Sequence, residues 1–587
     1  MSTTAPPEQQ RVPRSSPNLN DEIEVLGNGT GPEAGEIEKP PLEDEGVVMR
    51  SPFDDMSFVR TFKVFWKAEL IAFIAAFSAA ADGYQILMTG SIIANKGFIA
   101  QFGTQMSKGS LILSAQVLAI WGGVQSLGQG MGMLSTHFIA DRYGRRFGFL
   151  WLWLVLVGGV LCETLARDWK VWVAAKLLSG YAVGSVQFLT TSYMTELLPM
   201  RTRGSLLITY TIWYDLGQLA ASIALKVLED KAPHNYLNLI YTEWAMIGIM
   251  LVVYLYIPES PWWCANRDQH ERGRAVLTRL NGGIKGYDVD FHYGLIKKTV
   301  GLEREAAAQL HGPPKGFWHE VWSLRELFIG VNGVSSGILH VHNRSKLTVA
   351  QFRTLVAFFP PATQQISGLA VLSNYASYFA QVAGFADPFM FTVLLSLVSI
   401  GSTIVAFFMT DFVGRRATFL FGVVGTWSCL MIVGGLGLIK TPSLADNKLT
   451  LFFALVWRMV SDLEGTLGRS FAAEAGSSRL RVKTAGVSSA GGVAVGVLFS
   501  STVPYMLSDN SAQGLKTCFF FAGISLPMCI AAFFVIPDTS KRTAAELDEM
   551  FEKKVKPWRF RGYVTEAQLA LEASKQRNPG DAEVLEG

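Results

Sequence analysis

Polar and apolar residues fall in blocks along this chain. After a polar opening of about 60 residues, apolar runs of roughly 20 residues recur near 68–92, 110–138, 147–166, 171–195, 204–226 and 239–257. A polar gap follows, and a second set falls near 354–380, 386–410, 417–439, 449–473, 484–507 and 517–536. At 1.5 Å of rise per residue, each run is long enough to cross a hydrocarbon core of about 30 Å. Lipid offers no water to backbone N–H and C=O groups, so such runs satisfy them internally, as helices. The pattern predicts an all-α membrane protein of twelve transmembrane helices with both termini on one side.

The second set repeats the first. Asp141-Arg142-Tyr143-Gly144-Arg145-Arg146 returns as Asp411-Phe412-Val413-Gly414-Arg415-Arg416, 270 positions later. Glu196 with Arg201 and Arg203 returns as Glu474 with Arg479 and Arg481, 278 positions later. Two motifs recurring in one order imply two pseudo-symmetric six-helix bundles with a substrate path between them. The division expected is a disordered tail over 1–64, a first bundle over 65–258, a central loop over 259–353, a second bundle over 354–537 and a terminal helix and tail over 538–587.

Basic residues set the orientation. Arg142, Arg145 and Arg146 follow the second run, Arg201 and Arg203 the fourth, Arg415 and Arg416 the eighth, and Arg479, Arg481 and Lys483 the tenth. The opposite loops carry only scattered charges such as Lys96, Arg167 and Lys440. An excess of Lys and Arg marks the cytoplasmic face, which places both termini and the central loop there. The opening tail has no basic start followed by an apolar core, so no cleaved signal peptide is expected.

Composition narrows the class. Half the residues are hydrophobic, 17% are charged, and the mean hydropathy is +0.27, which overrules a soluble multidomain reading of 587 residues. A formal charge of +3 is too small to imply nucleic acid. The five cysteines have no metal-ligand spacing, and four lie in apolar runs as packing residues. No metal site, nucleophile or paired acid stands out, so neither an enzyme nor a cofactor is expected. The pairs Gly128-Gly132 and Gly180-Gly184 permit close helix approach in lipid. Thr543 and Glu546 have the form of a capping box opening a short amphipathic helix with Leu547, Met550 and Phe551 on one side.

These motifs resemble the sugar porter family of the major facilitator superfamily. The resemblance rests on the paired D-x-x-G-R-R motifs, Pro258-Glu259-Ser260-Pro261, Gln364-Gln365-x-x-Gly368, and Ser477 through Arg481. Further details are similar to the fungal α-glucoside (maltose) permease branch: Pro261-Trp262-Trp263, Tyr193-x-x-Glu196, Tyr375 to Phe379 and Pro537-Asp538-Thr539. The family fold rocks two bundles about a central cavity that opens to either side in turn.

The resemblance implies three groups of functional residues. A cytoplasmic gate would join Asp141, Arg145 and Arg146 to Glu196, Arg203 and, across the halves, Glu474, with Asp411, Arg415, Arg416 and Arg479 as the second copy. Bidentate arginine–carboxylate geometry suits such a latch; the arginines also serve as topology signals. Substrate contacts would come from Gln218, Gln364, Gln365, Tyr375 and Tyr378, since amides and hydroxyls match sugar hydroxyls and aromatic faces match the ring. For proton coupling, the family's acid after the first-span Gly-Tyr is here Gln85, and its fourth-span arginine is Lys176. Asp82, one turn before Gln85, pairs with Lys176 as a displaced proton site or as a plain ion pair, or transport is facilitated diffusion; the residues leave these open.

Other departures touch the substrate path. Two family asparagines are Ala370 and Ala490, and the usual tenth-span aromatic is Arg469, for which Asp462 and Glu464 are candidate partners. The stretch from Val334 to Gln351 fits neither neighbour and reads as an insert, its ends compatible with an unspliced intron. The expectation is a plasma-membrane carrier of a hexose or α-glucoside, by proton symport or facilitated diffusion, whose partners are the bilayer, the sugar and protons. The alternatives are a non-transporting nutrient sensor of the same fold, and a carrier of a polyol or an organic acid such as quinate.

Overall fold

The computed structural model describes residues 58–311 and 349–565 together with Phe53, apart from 108–109, 386, 440–442, 476–480, 509–513, 541 and 543. Twelve helical spans answer the apolar runs. In the first half they are span 1 (Trp66–Ala76 and Ser78–Ser91), span 2 (Ala115–Tyr143), span 3 (Arg145–Leu165), span 4 (Trp169–Leu197), span 5 (Met200–Lys231) and span 6 (Leu237–Tyr256). The second half holds span 7 in three pieces (Val349–Ile366, Leu369–Ser373 and Ala376–Val382), span 8 (Pro388–Phe412), span 9 (Arg415–Leu436), span 10 (Leu444–Ala475), span 11 (Arg481–Leu507) and span 12 (Thr517–Val535). Three further helices, Pro261–Asn266, His270–Asn281 and Val289–His311, follow span 6. The proposed insert lies outside the described residues except for Val349 to Gln351, which open span 7.

One boundary is corrected. The run expected to enter span 2 at 110 begins as a strand, Ser110–Ile112, paired antiparallel with Gln105–Ser107. The Ser114 hydroxyl accepts the N–H of Gln116 at 3.2 Å, and this cap starts the helix at Ala115. Span 7 breaks at Gly368, whose φ of +82° belongs to the left-handed region that glycine adopts without strain.

Among the described residues seven helices are long and apolar enough to cross a membrane, and they correspond to spans 1, 3, 6, 8, 9, 11 and 12. The other five are the broken span 7 and spans 2, 4, 5 and 10, which carry buried polar groups such as Ser126, Lys176, Asp215 and Arg458. The apolar spans share in this polar interior, with Asp82 and Gln85 on span 1, Glu163 on span 3 and Ser399 on span 8.

Spans 2 and 4 meet along the two glycine pairs read from the sequence. A Cβ at Gly128 or Gly132 would strike the carbonyls of Leu177 or Tyr181, and one at Gly180 or Gly184 those of Gln125 or Gln129. Each helix presses its glycines into the backbone of the other, the small-residue packing that lipid favours. At the end of the first bundle away from the paired motifs, Phe98, Trp121, Trp172 and Tyr236 pack edge to face, with Phe98 and Trp172 centroids 5.0 Å apart. At the motif end, the helix Ala544–Glu552 lays Leu547, Met550 and Phe551 against Val356 and Ala357 at the start of span 7. Thr543 lies outside the described residues; Glu546 receives Arg542 and Thr565.

Candidate functional site

The paired motifs build matching helix starts. Arg145 holds Glu196 by two nitrogens, Nη2 at 2.7 Å and Nε at 3.1 Å, and also contacts Asp141. The Glu259 carboxylate accepts the N–H groups of Arg145 at 2.7 Å and Arg146 at 3.3 Å, placing an anion on the free N–H groups that open span 3. The second half repeats this. Asp538 sits beside Gly414 at the start of span 9, and Arg415 reaches the Thr539 hydroxyl at 3.2 Å. Gly144 and Gly414 share positive φ values of 110° and 99°.

The structure brings together some of the residues expected at the gate. Asp141, Arg145 and Glu196 come together within the first bundle. Arg146 is directed instead to the Leu255 carbonyl of span 6 at 2.7 Å, and Arg416 to the Phe533 carbonyl of span 12 at 2.8 Å. Arg203 donates to the Leu198 carbonyl. The side chains of Asp411, Arg469 and Glu474, and Arg479 altogether, lie outside the described residues.

At the opposite end the two bundles are joined. Ser377 donates to the Ser91 carbonyl at 3.1 Å, Gln381 to the Ala94 carbonyl at 3.2 Å, and Ser126 to the Ser500 hydroxyl at 3.2 Å. Lys226 of span 5 pairs with Asp387, the N-cap of span 8, at 2.7 Å. Burial acts to raise the Asp387 carboxyl, but hydrogen bonds from Lys226 and the Met390 N–H outweigh it and hold the group below its ordinary 3.8. Tyr375 belongs to this seam: its buried hydroxyl donates to the Ser500 carbonyl at 2.8 Å and approaches the Leu118 carbonyl of the other half at 3.4 Å. Tyr378 packs against the same core, half-buried.

Between the two ends lies a polar centre. Gln218 of span 5 accepts from Arg458 of span 10 at 3.1 Å, and Gln364 of span 7 donates to the Ser461 carbonyl of span 10 at 3.2 Å. Two of the expected substrate contacts thus converge from opposite halves on one turn of span 10. Gln365 is half-buried, beside Gly496 of span 11.

Asp82 and Lys176 do not pair. Asp82 accepts from the Tyr210 hydroxyl at 2.7 Å and from Gln187 at 3.2 Å. Lys176 instead meets Glu163 of span 3 at 2.8 Å and donates to Thr89, its ammonium lying 4.6 Å from the Trp172 ring centre. Gln85 donates to the same Glu163 oxygen at 2.6 Å. Glu163 escaped the sequence reading because it stands at the end of an apolar run, with no charged residue at helical spacing on its own span. Asp215 was missed likewise, since its partners lie on another span; Arg458 has Asp462 four positions on, but its bonds to Gln218 and Ser399 cross between spans. Asp462, a candidate for Arg469, is bound by Arg458 at 2.9 Å.

Two bundles of six helices, sealed at one end around a buried polar centre, define a membrane carrier of the major facilitator fold. Residues 71–551 match the model of the Sugar (and other) transporter family, and the chain belongs to that family. It is similar to the MFS transporter fmqE of Aspergillus fumigatus, 25% identical over 82% of this chain and 85% of that one. The general alpha-glucoside permease of Saccharomyces cerevisiae is 24% identical over 85% of this chain and 78% of that one, and hexose transporter HXT10 of the same yeast 23% identical over 85% and 88%. Among solved structures, the xylose transporter XylE from E. coli in a partially occluded inward-open conformation superposes with a TM-score of 0.60 at 16% identity, over 82% of this chain and all of that one.

Proposed function

We propose that this carrier moves a hexose or α-glucoside across the plasma membrane by alternating access, with both termini in the cytoplasm. The observation that carries the reading is the meeting of Gln218 and Gln364, amides from opposite halves, on the Arg458–Ser461 turn of span 10. Amides at a junction of two bundles offer a sugar donors and acceptors that change when the bundles part. Gln365 and Tyr378 complete the set, and Tyr375 joins the seam between the halves. Asp141, Arg145 and Glu196 form the gate core, which Glu474 and Arg479 complete from the second half. Relatives named for α-glucoside and hexose transport support the sugar class.

A second reading, a carrier of an organic acid, is favoured by the Arg458 guanidinium on Gln218 and by a relative, fmqE, whose name specifies no sugar. Uptake of labelled glucose, maltose and quinate by transport-deficient cells expressing the chain distinguishes them. Accumulation of a sugar but not quinate is expected; quinate alone selects the second reading. Surface expression with no uptake of any of the three rejects both.

A further inference from the structure

Arg458 anchors a second cluster that the sugar reading does not use. Asp215 of span 5 accepts hydrogen bonds from Thr403 at 2.7 Å and Ser399 at 3.1 Å, both on span 8 of the other half. Arg458 holds Asp462 at 2.9 Å and donates to Ser399 at 2.8 Å, and Ser402 donates to Asp462 at 3.0 Å. Asp215 is 2% exposed and Arg458 4%. Two carboxylates thus share one guanidinium at the seam between the bundles. An uncompensated charge there is costly, because burial strips its water and leaves hydroxyls as its other partners.

We propose that Asp215 is a proton-binding site whose occupancy is coupled to the joining of the two bundles. The reaction is simple addition: a proton from water enters on an Asp215 oxygen, neutralises the surplus charge of the closed cluster, and leaves by the same route when the seam parts. In the joined state the hydrogen-bond donors to Asp215 among the described residues are hydroxyls of the opposite half. Separation exchanges them for water and withdraws Arg458, so the carboxylate meets two environments in one transport cycle. The charged and titratable groups facing Asp215 among the described residues are Asp462 and Arg458 of span 10 and neighbouring Tyr214. Span 8 contributes only hydroxyls, and Asp82 of span 1 is engaged by Tyr210 and Gln187.

The Glu163–Lys176 pair lacks this property. Its partners Gln85 and Thr89 all belong to the first bundle, and a bundle that moves as one body leaves them unchanged. Gln218 links the new site to the substrate reading, on which the coupling (but not the proton site) rests: the amide assigned to the sugar is the one Arg458 donates to. A sugar that claims Gln218 alters the group that balances Asp215.

The test separates the two claims. Purified full-length protein in lipid nanodiscs is titrated by infrared spectroscopy, which reads protonated carboxyl groups without any substrate. The wild type is expected to lose one such band as pH rises, Asp215→Asn to lack it, and Asp82→Asn to keep it. Thr403→Val, which removes a hydroxyl donor and keeps the shape, is expected to move the midpoint by about one pH unit. In proteoliposomes, Asp215→Asn should lower accumulation driven by a pH gradient by about tenfold or more while sugar exchange at equal pH stays within about threefold. A band unchanged in both Asp215→Asn and Thr403→Val overturns the proton site. Accumulation and exchange falling together overturn the coupling. Loss of the band in a protein that carries no sugar leaves the proton site standing and removes the sugar reading.

Discussion

Lys176 and Glu163 meet at 2.8 Å with both side chains fully buried, thirteen positions apart on two helices of one bundle. The ammonium lies over Trp172, so neither charge has water to fall back on. Breaking such a pair from one side is costly because the survivor stays buried, whereas replacing both members by apolar residues of similar volume is often neutral. Glu163→Ala should therefore destabilise by about 3 kcal/mol. Glu163→Leu combined with Lys176→Met should recover most of that loss. Thermal unfolding of the purified protein in detergent measures both.

Glycine packing between spans 2 and 4 gives a sharper contrast. Gly132→Ala drives a methyl into the Tyr181 carbonyl and should cost about 1–3 kcal/mol. Gly158→Ala meets nothing within 4 Å and should be neutral or stabilising by about 0.4–1 kcal/mol. Equal melting temperatures for the two variants would refute the contact.

Lys226 and Asp387 clasp the end opposite the paired motifs. Because the Asp387 carboxyl is held below its ordinary 3.8, its contribution is complete above that value and is lost as pH falls through the lower folded value. Closure of this end should be constant from neutral pH down to 5 and weaken below 3.8. Asp387→Asn should weaken it above 3.8, where the carboxylate is charged, and match the wild type in strong acid. Spin labels at 232, just after span 5, and at 447, in the first turn of span 10, report the separation, and an acid-independent distance in the wild type would contradict the assignment.

Cys264 offers a chemical check on the helices after span 6. Burial, and after it the nearby Glu259 carboxylate, push the thiol up to about 11, so the reactive thiolate is scarce at neutral pH. A maleimide should label Cys264 slowly at pH 7 and rapidly after unfolding, as peptide mapping can follow.

The sequence exposes what recurs or is periodic. The twelve runs, the duplicated motifs and the two glycine pairs are all local patterns, and each reappears in the fold. Partnerships across helices are not local. Nothing near Asp82 points to Tyr210, 128 positions on, and Arg458 reaches Gln218 across 240. Their charges were visible, but the choice of partner depends on which faces the bundles turn inward. Glu259 and Asp538 were visible only as members of motifs, since the helix starts they sit against, at Arg145 and Gly414, lie more than a hundred residues earlier.

Among the described residues, five of the twelve spans are less apolar than the other seven. An arginine or aspartate at mid-helix costs about 2.5–3.5 kcal/mol on the insertion scale, and span 10 carries both Arg458 and Asp462. Its counterparts on spans 5 and 8 are synthesised earlier, so they are already waiting when span 10 leaves the ribosome. Biogenesis must then proceed by docking onto finished neighbours, and a nascent chain stripped of Asp215 and Ser399 would present span 10 to the translocon with no companion to receive it.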